Sequence, residues 1–431
     1  MTTTTATASV LATARTPDLV RDVELTRPLP HLPADTGDGV RRGRAWLVVR
    51  RHGVPLGMPV LPLPAGGLPP ATLGAALADH LAGALDPSDA DRLRAGLPVT
   101  ADGAAVLAAR ERARRDGAAV TAVVCTRDRP DALRRCLASL VTQDYPRATV
   151  LVVDNAPTGG ATRDVVAEFT GVRYVVEPAP GLSRARNRAL SEVDTELVAW
   201  IDDDEVADRY WLTEVARAFL ELPAAAGLSG LVVPGEIETP AQDWYEAFGG
   251  HSKGRGFVPD VFVPGEMAQS PLYPLPPFGV GANMAFRREA LVAVGGFDPA
   301  LGAGTPAEGG EDTMVLTRLL LAGRTLVYHP AALVRHYHRR EYPQLVAQMR
   351  GYGVALTAFY TALVWHRPRL LPRLVALLPR ALRDVRDGDS LRNVGVRDGM
   401  PPELMSTNLK GMLVGPWRYV RSTARGRRRA K

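Results

Sequence analysis

The chain has 431 residues, 46% hydrophobic and 23% charged, which excludes a low-complexity or fibrous protein and allows two or three domains. Its net charge of +6 is uneven: Arg418, Arg421, Arg425, Arg427, Arg428, Arg429 and Lys431 fall in the last fourteen residues, leaving a formal −1 elsewhere. The basic balance therefore belongs to the tail and implies no nucleic-acid-binding domain, and two cysteines, Cys125 and Cys136, support neither a disulfide framework nor a zinc site.

Residues 1–36 open with MTTTTATASVLATARTPD, in which no basic segment precedes a continuous apolar run. This reads as a disordered tail without a secretory signal, and a cytoplasmic location is expected. Residues 37–112 read as a small accessory α+β module. WLVVRRHGVPLGMPVLPLP places two short apolar segments around His52-Gly53-Val54-Pro55, a hairpin pattern, and ATLGAALADHLAGAL spaces Leu73, Ala76, Leu77, His80 and Leu81 as a helix. No polar cluster converges there, which favours a structural or docking role over catalysis.

From Ala118 apolar runs and helical patterns alternate. AVTAVVC reads as a strand, and PDALRRCLASLVTQ as a helix with Pro130 in its first turn. TVLVVDN, TRDVVAEF, VRYVVEP, LSRARNRALSE and ELVAWIDDD continue as strand, helix, strand, helix, strand. Such alternation predicts a parallel sheet covered on both faces, with ligands bound beyond the carboxyl ends of its strands.

Two of these strands end in acid, one at Asp154 and one at Asp202, Asp203 and Asp204. Three adjacent carboxylates repel one another. Either they are a solvated turn, or a cation relieves them, and oxygen ligands gathered on one rim suit magnesium or manganese. Strand alternation would point Asp202 and Asp204 one way and Asp203 the other.

VVCTRDRP, VVDN, GLSRARNRAL, WIDDDE, GANMAFRREAL with GGFD, and GEDTMVLTRLLLAG occur in this order between Thr121 and His338. Over this half of the chain the sequence resembles the family 2 glycosyltransferases of the GT-A fold. The resemblance implies an α/β, Rossmann-like nucleotide-diphospho-sugar transferase domain over 118–345. It makes Asp154 the base-recognising residue and gives Thr126, Arg127, Arg184, Arg186, Asn187, Asp202 and Asp203 to the nucleotide. Asp204 and Asp202 would hold a divalent metal, Mn2+ or Mg2+, with His336 a candidate third ligand, although a lone histidine is more often structural. Asp312 would be the general base toward an acceptor hydroxyl in a single inverting transfer. Glu311 and Asp312 also suit the first turn of the helix that follows, where its dipole favours acidic groups. His329 and His338 lie in the same stretch as His336.

The processive-synthase motif QxxRW is absent, which favours one transfer over polymer synthesis. The insertion from Pro234 to Phe278 is aromatic and loop-like. Residues 346–431 read as a helical extension with a basic tail; its apolar stretch Gly353–Trp365 is shorter than the roughly 20 residues that cross a bilayer. The tail, with Met412-Leu413-Val414, Trp417 and Tyr419 before the basic run, suits docking on an anionic membrane surface. The expected partners are a nucleotide-sugar donor, UDP-linked by family habit, and a hydroxyl acceptor that is a small molecule, a glycan or lipid-linked. A sugar-1-phosphate nucleotidyltransferase would need a glycine-rich loop that CTRDRP does not supply, and an aspartyl phosphatase would carry its acidic pair in the first strand. A sugar-nucleotide-binding module remains an alternative.

Overall fold

A computed structural model describes residues 16–100, 102–252, 254–267, 270–273, 280–384 and 400–429. Strands β1 (Leu19–Glu24), β2 (Arg44–Arg51), β3 (Val54–Gly57) and β4 (Val60–Pro62) form a small sheet, with β1 parallel and β3 and β4 antiparallel to β2. The expectation of a disordered tail is corrected for residues 16–36. Leu19, Val23, Leu25, Leu29 and Leu32 are buried in the core of this unit with Leu47 and Val49. Charges between these apolar residues hid the strand; residues 1–15 lie outside the described part. The hairpin after β2 turns at His52 (φ 51°) and Gly53 (φ 76°), the left-handed pair that matches strand twist. The Glu24 carboxylate accepts from both turn amides.

The small sheet is buried on both faces. Val48 packs with Leu231, Val233 and Leu333 of the larger domain. The helix Ala104–Asp116, which runs past the expected boundary at 112, lies along the helix Trp211–Glu221. Ion pairs reinforce the contact: Arg50 with Asp208, Arg335 with Asp22, and Arg110 with Glu214 at 2.6 Å.

The larger domain is built on β5 (Val120–Thr126), β6 (Ala148–Asn155), β7 (Val172–Glu177), β8 (Leu197–Asp202), β9 (Glu205–Ala207), β10 (Ala225–Pro234), β11 (Asp260–Phe262), β12 (Asn283–Arg287) and β13 (Thr325–His336). Their order is β11-β13-β10-β12-β8-β5-β6-β7, with β9 also on β13. β5 to β8 pair in parallel and β10 pairs in parallel with β13, while β12 runs antiparallel between β8 and β10. One apolar cluster fills each face, around Trp211 and Phe219 on one side and around Trp200 and Phe286 on the other. This α/β sheet with a helical C-terminal region is the fold class that the GT-A resemblance implies. The carboxyl ends of β5, β6, β8, β10 and β13 and the amino end of β12 share one rim.

The insertion after β10 is more than a loop. It forms the helix Pro240–Ala247, opened by a capping box between Thr239 and Gln242, and the edge strand β11. Trp244 and Tyr245 pack on Leu345, Met349 and Leu404. Beyond β13 come helices Tyr342–His366, Leu371–Asp384 and Pro402–Arg429. The first and last approach closely at glycines: a Cβ on Gly353 would lie 1.9 Å from the Asn408 carbonyl oxygen, and one on Gly411 2.3 Å from that of Arg350. Among the described residues no helix is long and apolar enough to cross a membrane.

Candidate active site

The strand β8 stops at Asp202, so alternation does not carry through the aspartate run. Asp202 leans toward Arg186, whose Nη2 is 3.5 Å from Oδ1. Asp203 and Asp204 instead share Arg129, whose Nη1 donates to Asp203 Oδ1 at 2.9 Å and Asp204 Oδ2 at 3.0 Å. Thr126 donates its hydroxyl to Asp203 Oδ2 at 2.6 Å. Inside the protein the repulsion is therefore relieved by Arg129, with Arg186 beside Asp202 and Arg339 4.0 Å from Asp204. Burial raises the Asp202 carboxyl to about 6, with Asp204 and Asp203 adding repulsion and Arg186 opposing. Burial also works to raise Asp204, yet His336 and Arg129 hold it below the usual carboxylate range. The next residue, Glu205, is fully buried; its Oε2 accepts from the Asp202 amide, and burial with the neighbouring Asp202 keeps it well above the ordinary range.

His336 ends β13, and its Nε2 lies 3.4 Å from Asp204 Oδ1. Its Nδ1 is 2.7 Å from His338 Nδ1, and His338 Nε2 is 2.7 Å from Glu246 Oε1 on the insertion helix. Burial pushes the His338 imidazole down, against the pull of Glu246. A carboxylate only accepts, so His338 Nε2 carries the hydrogen and, in a neutral ring, its Nδ1 is the acceptor. His336 Nδ1 then donates, and its Nε2 faces Asp204 as a lone pair in the neutral ring and as a donating N–H in the protonated one. His251 adds a third imidazole, its ring centroid 4.3 Å from that of His336. His251, His336 and His338 offer nitrogens within 4.8 Å of one another. His329, by contrast, is spent on Glu214 at 2.9 Å.

At the end of β6, Asp154 is buried and pairs in register with Thr126. Its Oδ2 accepts from the Tyr174 hydroxyl at 2.8 Å, while its buried Oδ1 has no hydrogen-bond partner among the described residues. Burial raises this carboxyl, and the Tyr174 hydrogen bond, with the Thr162 hydroxyl nearby, opposes the rise. Such an oxygen is costly unless a ligand donates to it.

Helix Glu311–Leu321 follows Gly310, whose φ of 85° places it in the left-handed region open to glycine. Asp312 is half-buried. Its Oδ2 accepts from the Gly281 amide at 2.6 Å and its Oδ1 from the Thr313 amide at 2.7 Å, which fixes the carboxylate beside the rim. Glu311 turns inward and accepts from Arg186 Nη1 at 2.8 Å. Burial raises Glu311 to about 7, with Arg186 opposing and Asp312 adding to the rise.

Several residues expected on the nucleotide have other work. Arg186 is 1% exposed and bridges Glu311, Asp202 and the Gly281 carbonyl, so it joins the two acidic groups. Asn187 accepts from the Phe297 amide and donates to its carbonyl, locking its helix to the GGFD turn. Thr126 and Asp203 bond to each other. Arg127 is exposed, its nearest acid the adjacent Asp128 at 3.7 Å, and the arginine that reaches the aspartates is Arg129. Arg184 stays half-buried in the first turn of helix Leu182–Glu192, beside Gly426. Sequence reading missed Arg129, Glu205 and Glu246. The first two sit inside quoted motifs, whereas Glu246 meets His338 across 92 residues and left no local signal.

The fold and the rim together define an α/β protein whose polar site lies at the carboxyl ends of its parallel strands. Residues 121–295 match the family described as glycosyl transferase family 2. It is similar to a pre-mycofactocin glycosyltransferase of Mycobacterium tuberculosis, 28% identical over 54% of this chain and 46% of that one. It is also similar to the succinoglycan biosynthesis protein ExoM of Rhizobium meliloti, 31% identical over 49% of this chain and 64% of that one. The chain thus spans about half to two thirds of the length of these relatives. Among solved structures it matches a mannosyltransferase from Pyrobaculum calidifontis in complex with GDP-Man and Mn2+, with a TM-score of 0.42 and 20% identity, over 74% of this chain and 80% of that one.

Proposed function

We propose that this protein transfers one sugar from a nucleoside-diphosphate donor, UDP-linked by expectation, to an acceptor hydroxyl with inversion. The observation that supports this reading is the single rim on which three kinds of group meet. Asp154 offers a buried acceptor without a partner, suited to the N–H of a nucleobase. Asp204 Oδ1 and His336 Nε2 stand 3.4 Å apart, a spacing that two ligands of one cation adopt, and both are of the donor type that manganese takes. Asp202 is the further oxygen that would join them. A divalent metal bound there supplies charge to offset the departing diphosphate.

Asp312 takes the acceptor's proton as the new bond forms, because a hydroxyl is too weak a nucleophile unaided. The Gly281 and Thr313 amides orient that carboxylate. Hydrolysis and transfer would be screened with a panel of sugar nucleotides and Mn2+ or Mg2+. Asp312→Asn is expected to bind donor as the parent does while transfer falls by about 10²- to 10⁴-fold. Transfer near the parental rate, or a product that keeps the donor's anomeric configuration, would overturn the assignment. If no sugar nucleotide yields nucleoside diphosphate while binding persists, the protein is a binding module.

A further inference from the structure

The C-terminal extension leaves two apolar stripes uncovered, one on each of its last two helices. On helix Leu371–Asp384, Leu371, Val375, Leu378 and Leu382 recur at i, i+4, i+7 and i+11, one face, and each is between 49% and 59% exposed. Leu374 and Leu377, on the adjoining face, pack on the cluster of Phe359, Leu363 and Tyr419. Arg373, Arg380 and Arg383 occupy the third side. Helix Pro402–Arg429 repeats the pattern with Leu409, Leu413, Trp417 and Val420, of which Leu413 is 83% and Trp417 61% exposed. Trp365, half-exposed at the end of helix Tyr342–His366, stands against Tyr419 of the last helix. Tyr419 itself is buried and donates to Asp298, so the surface differs from the one the tail sequence suggests.

Exposed apolar stripes on this scale mark a partner, and the charge says which kind. The two helices carry basic residues at Arg373, Arg380, Arg383, Lys410, Arg421 and Arg425 and acidic ones only at Asp384 and Glu403. Both acids are engaged internally, by Tyr273 and Tyr342. Two copies meeting through this face would bring like charges together, whereas anionic headgroups would attract them. No described helix is built to cross a bilayer, so the helices suit lying on one, apolar stripe inward and arginines among the headgroups.

We infer that helices Leu371–Asp384 and Pro402–Arg429 dock the protein on the surface of an anionic lipid bilayer. The same extension touches the site: the Ala355 carbonyl would lie 3.0 Å from a Cβ on Gly310, immediately before Glu311. Arg418 of the last helix pairs with Glu308.

The full chain would be floated with vesicles of phosphatidylcholine alone and of phosphatidylcholine mixed with phosphatidylglycerol. Binding is expected to be at least about tenfold tighter to the mixed vesicles and to weaken with salt. Leu378→Asp with Leu382→Asp, and separately Leu413→Asp, change exposed positions and should each lower binding by about tenfold or more without altering thermal unfolding. Donor hydrolysis without vesicles should be unchanged, which separates this surface from the rim. Absence of binding to anionic vesicles, or equal binding by parent and variants, would overturn the inference. So would a dimer in sedimentation that these substitutions dissociate, since the face would then belong to a second copy.

Discussion

Glu246 touches neither the aspartate run nor the rim, yet it decides which nitrogen of His336 bears the hydrogen. Its carboxylate fixes His338, and His338 fixes His336, so the lone pair beside Asp204 depends on an acid two rings away. Glu246→Gln keeps the size but replaces an obligate acceptor by an amide that either accepts from or donates to His338 Nε2, so the hydrogens of both rings are no longer fixed. Under the proposed function, Mn2+ affinity in the presence of nucleoside diphosphate should fall about 10- to 100-fold, with unfolding temperature preserved and activity restored by excess metal. Calorimetry checks it, with Asp204→Asn alongside. Unchanged affinity in Glu246→Gln with loss in Asp204→Asn removes only the relay, whereas no loss in either removes the metal reading. The limits of the sequence are visible in these residues. Asp154, Asp204, His336 and Asp312 were legible because each stands at the end of an apolar run or the start of an amphipathic helix. Arg186 was legible as important but not as a buried bridge, because its partners Glu311, at a helix start, and Gly281, before a strand, lie 125 and 95 residues away.

Helix Trp211–Glu221 offers the N-terminal module its firmest hold through Glu214, which is fully buried and meets Arg110, Arg217 and His329. Burial alone would raise its carboxyl, but the His329 hydrogen bond and charge, then Arg217 and Arg110, bring it down to about 2 from 4.5. A depressed acid adds stability above its unfolded pKa and loses it as pH falls through the folded one. The stabilisation is therefore complete above about pH 4.5 and fades toward pH 2, and the shift is worth about 3 kcal/mol. Glu214→Gln should lower stability at pH 7 by a comparable amount, since it strands buried cations, and should flatten the acid limb of a urea-denaturation series between those pH values. An acid limb as steep as the parent's would assign the docking elsewhere. Elements of the larger domain were readable because buried parallel strands are continuous apolar runs. β1 was not, for it is short, edge-placed and carries Arg21, Asp22 and Glu24 without alternation, and β11 was not, for three residues inside an aromatic insertion carry no period.

At the scale of the molecule, three units share buried surface and none stands free. Val48 of the small sheet is fully buried against Leu231, Val233 and Leu333, so removing residues 1–103 would bare an apolar patch on the larger domain as well as part its ion pairs. The shortened chain is expected to aggregate or to unfold at markedly lower temperature, as size-exclusion chromatography and thermal scans would show. A monodisperse product with the parental transition would make the module dispensable for folding.

β12 runs against its neighbours, so the chain that leaves β10 at Pro234 must regain the same rim to begin β12 at Asn283. A segment with both feet on one rim can grow or shrink without moving either foot, and each doubling of such a length costs only about 0.6 kcal/mol in closure entropy. Divergence can accumulate in that segment while β8 and its aspartates stay where they are. Swapping the segment between related chains should therefore exchange what approaches the acidic rim, and should preserve what the rim itself does where the incoming segment keeps an acid at Glu246 against His338.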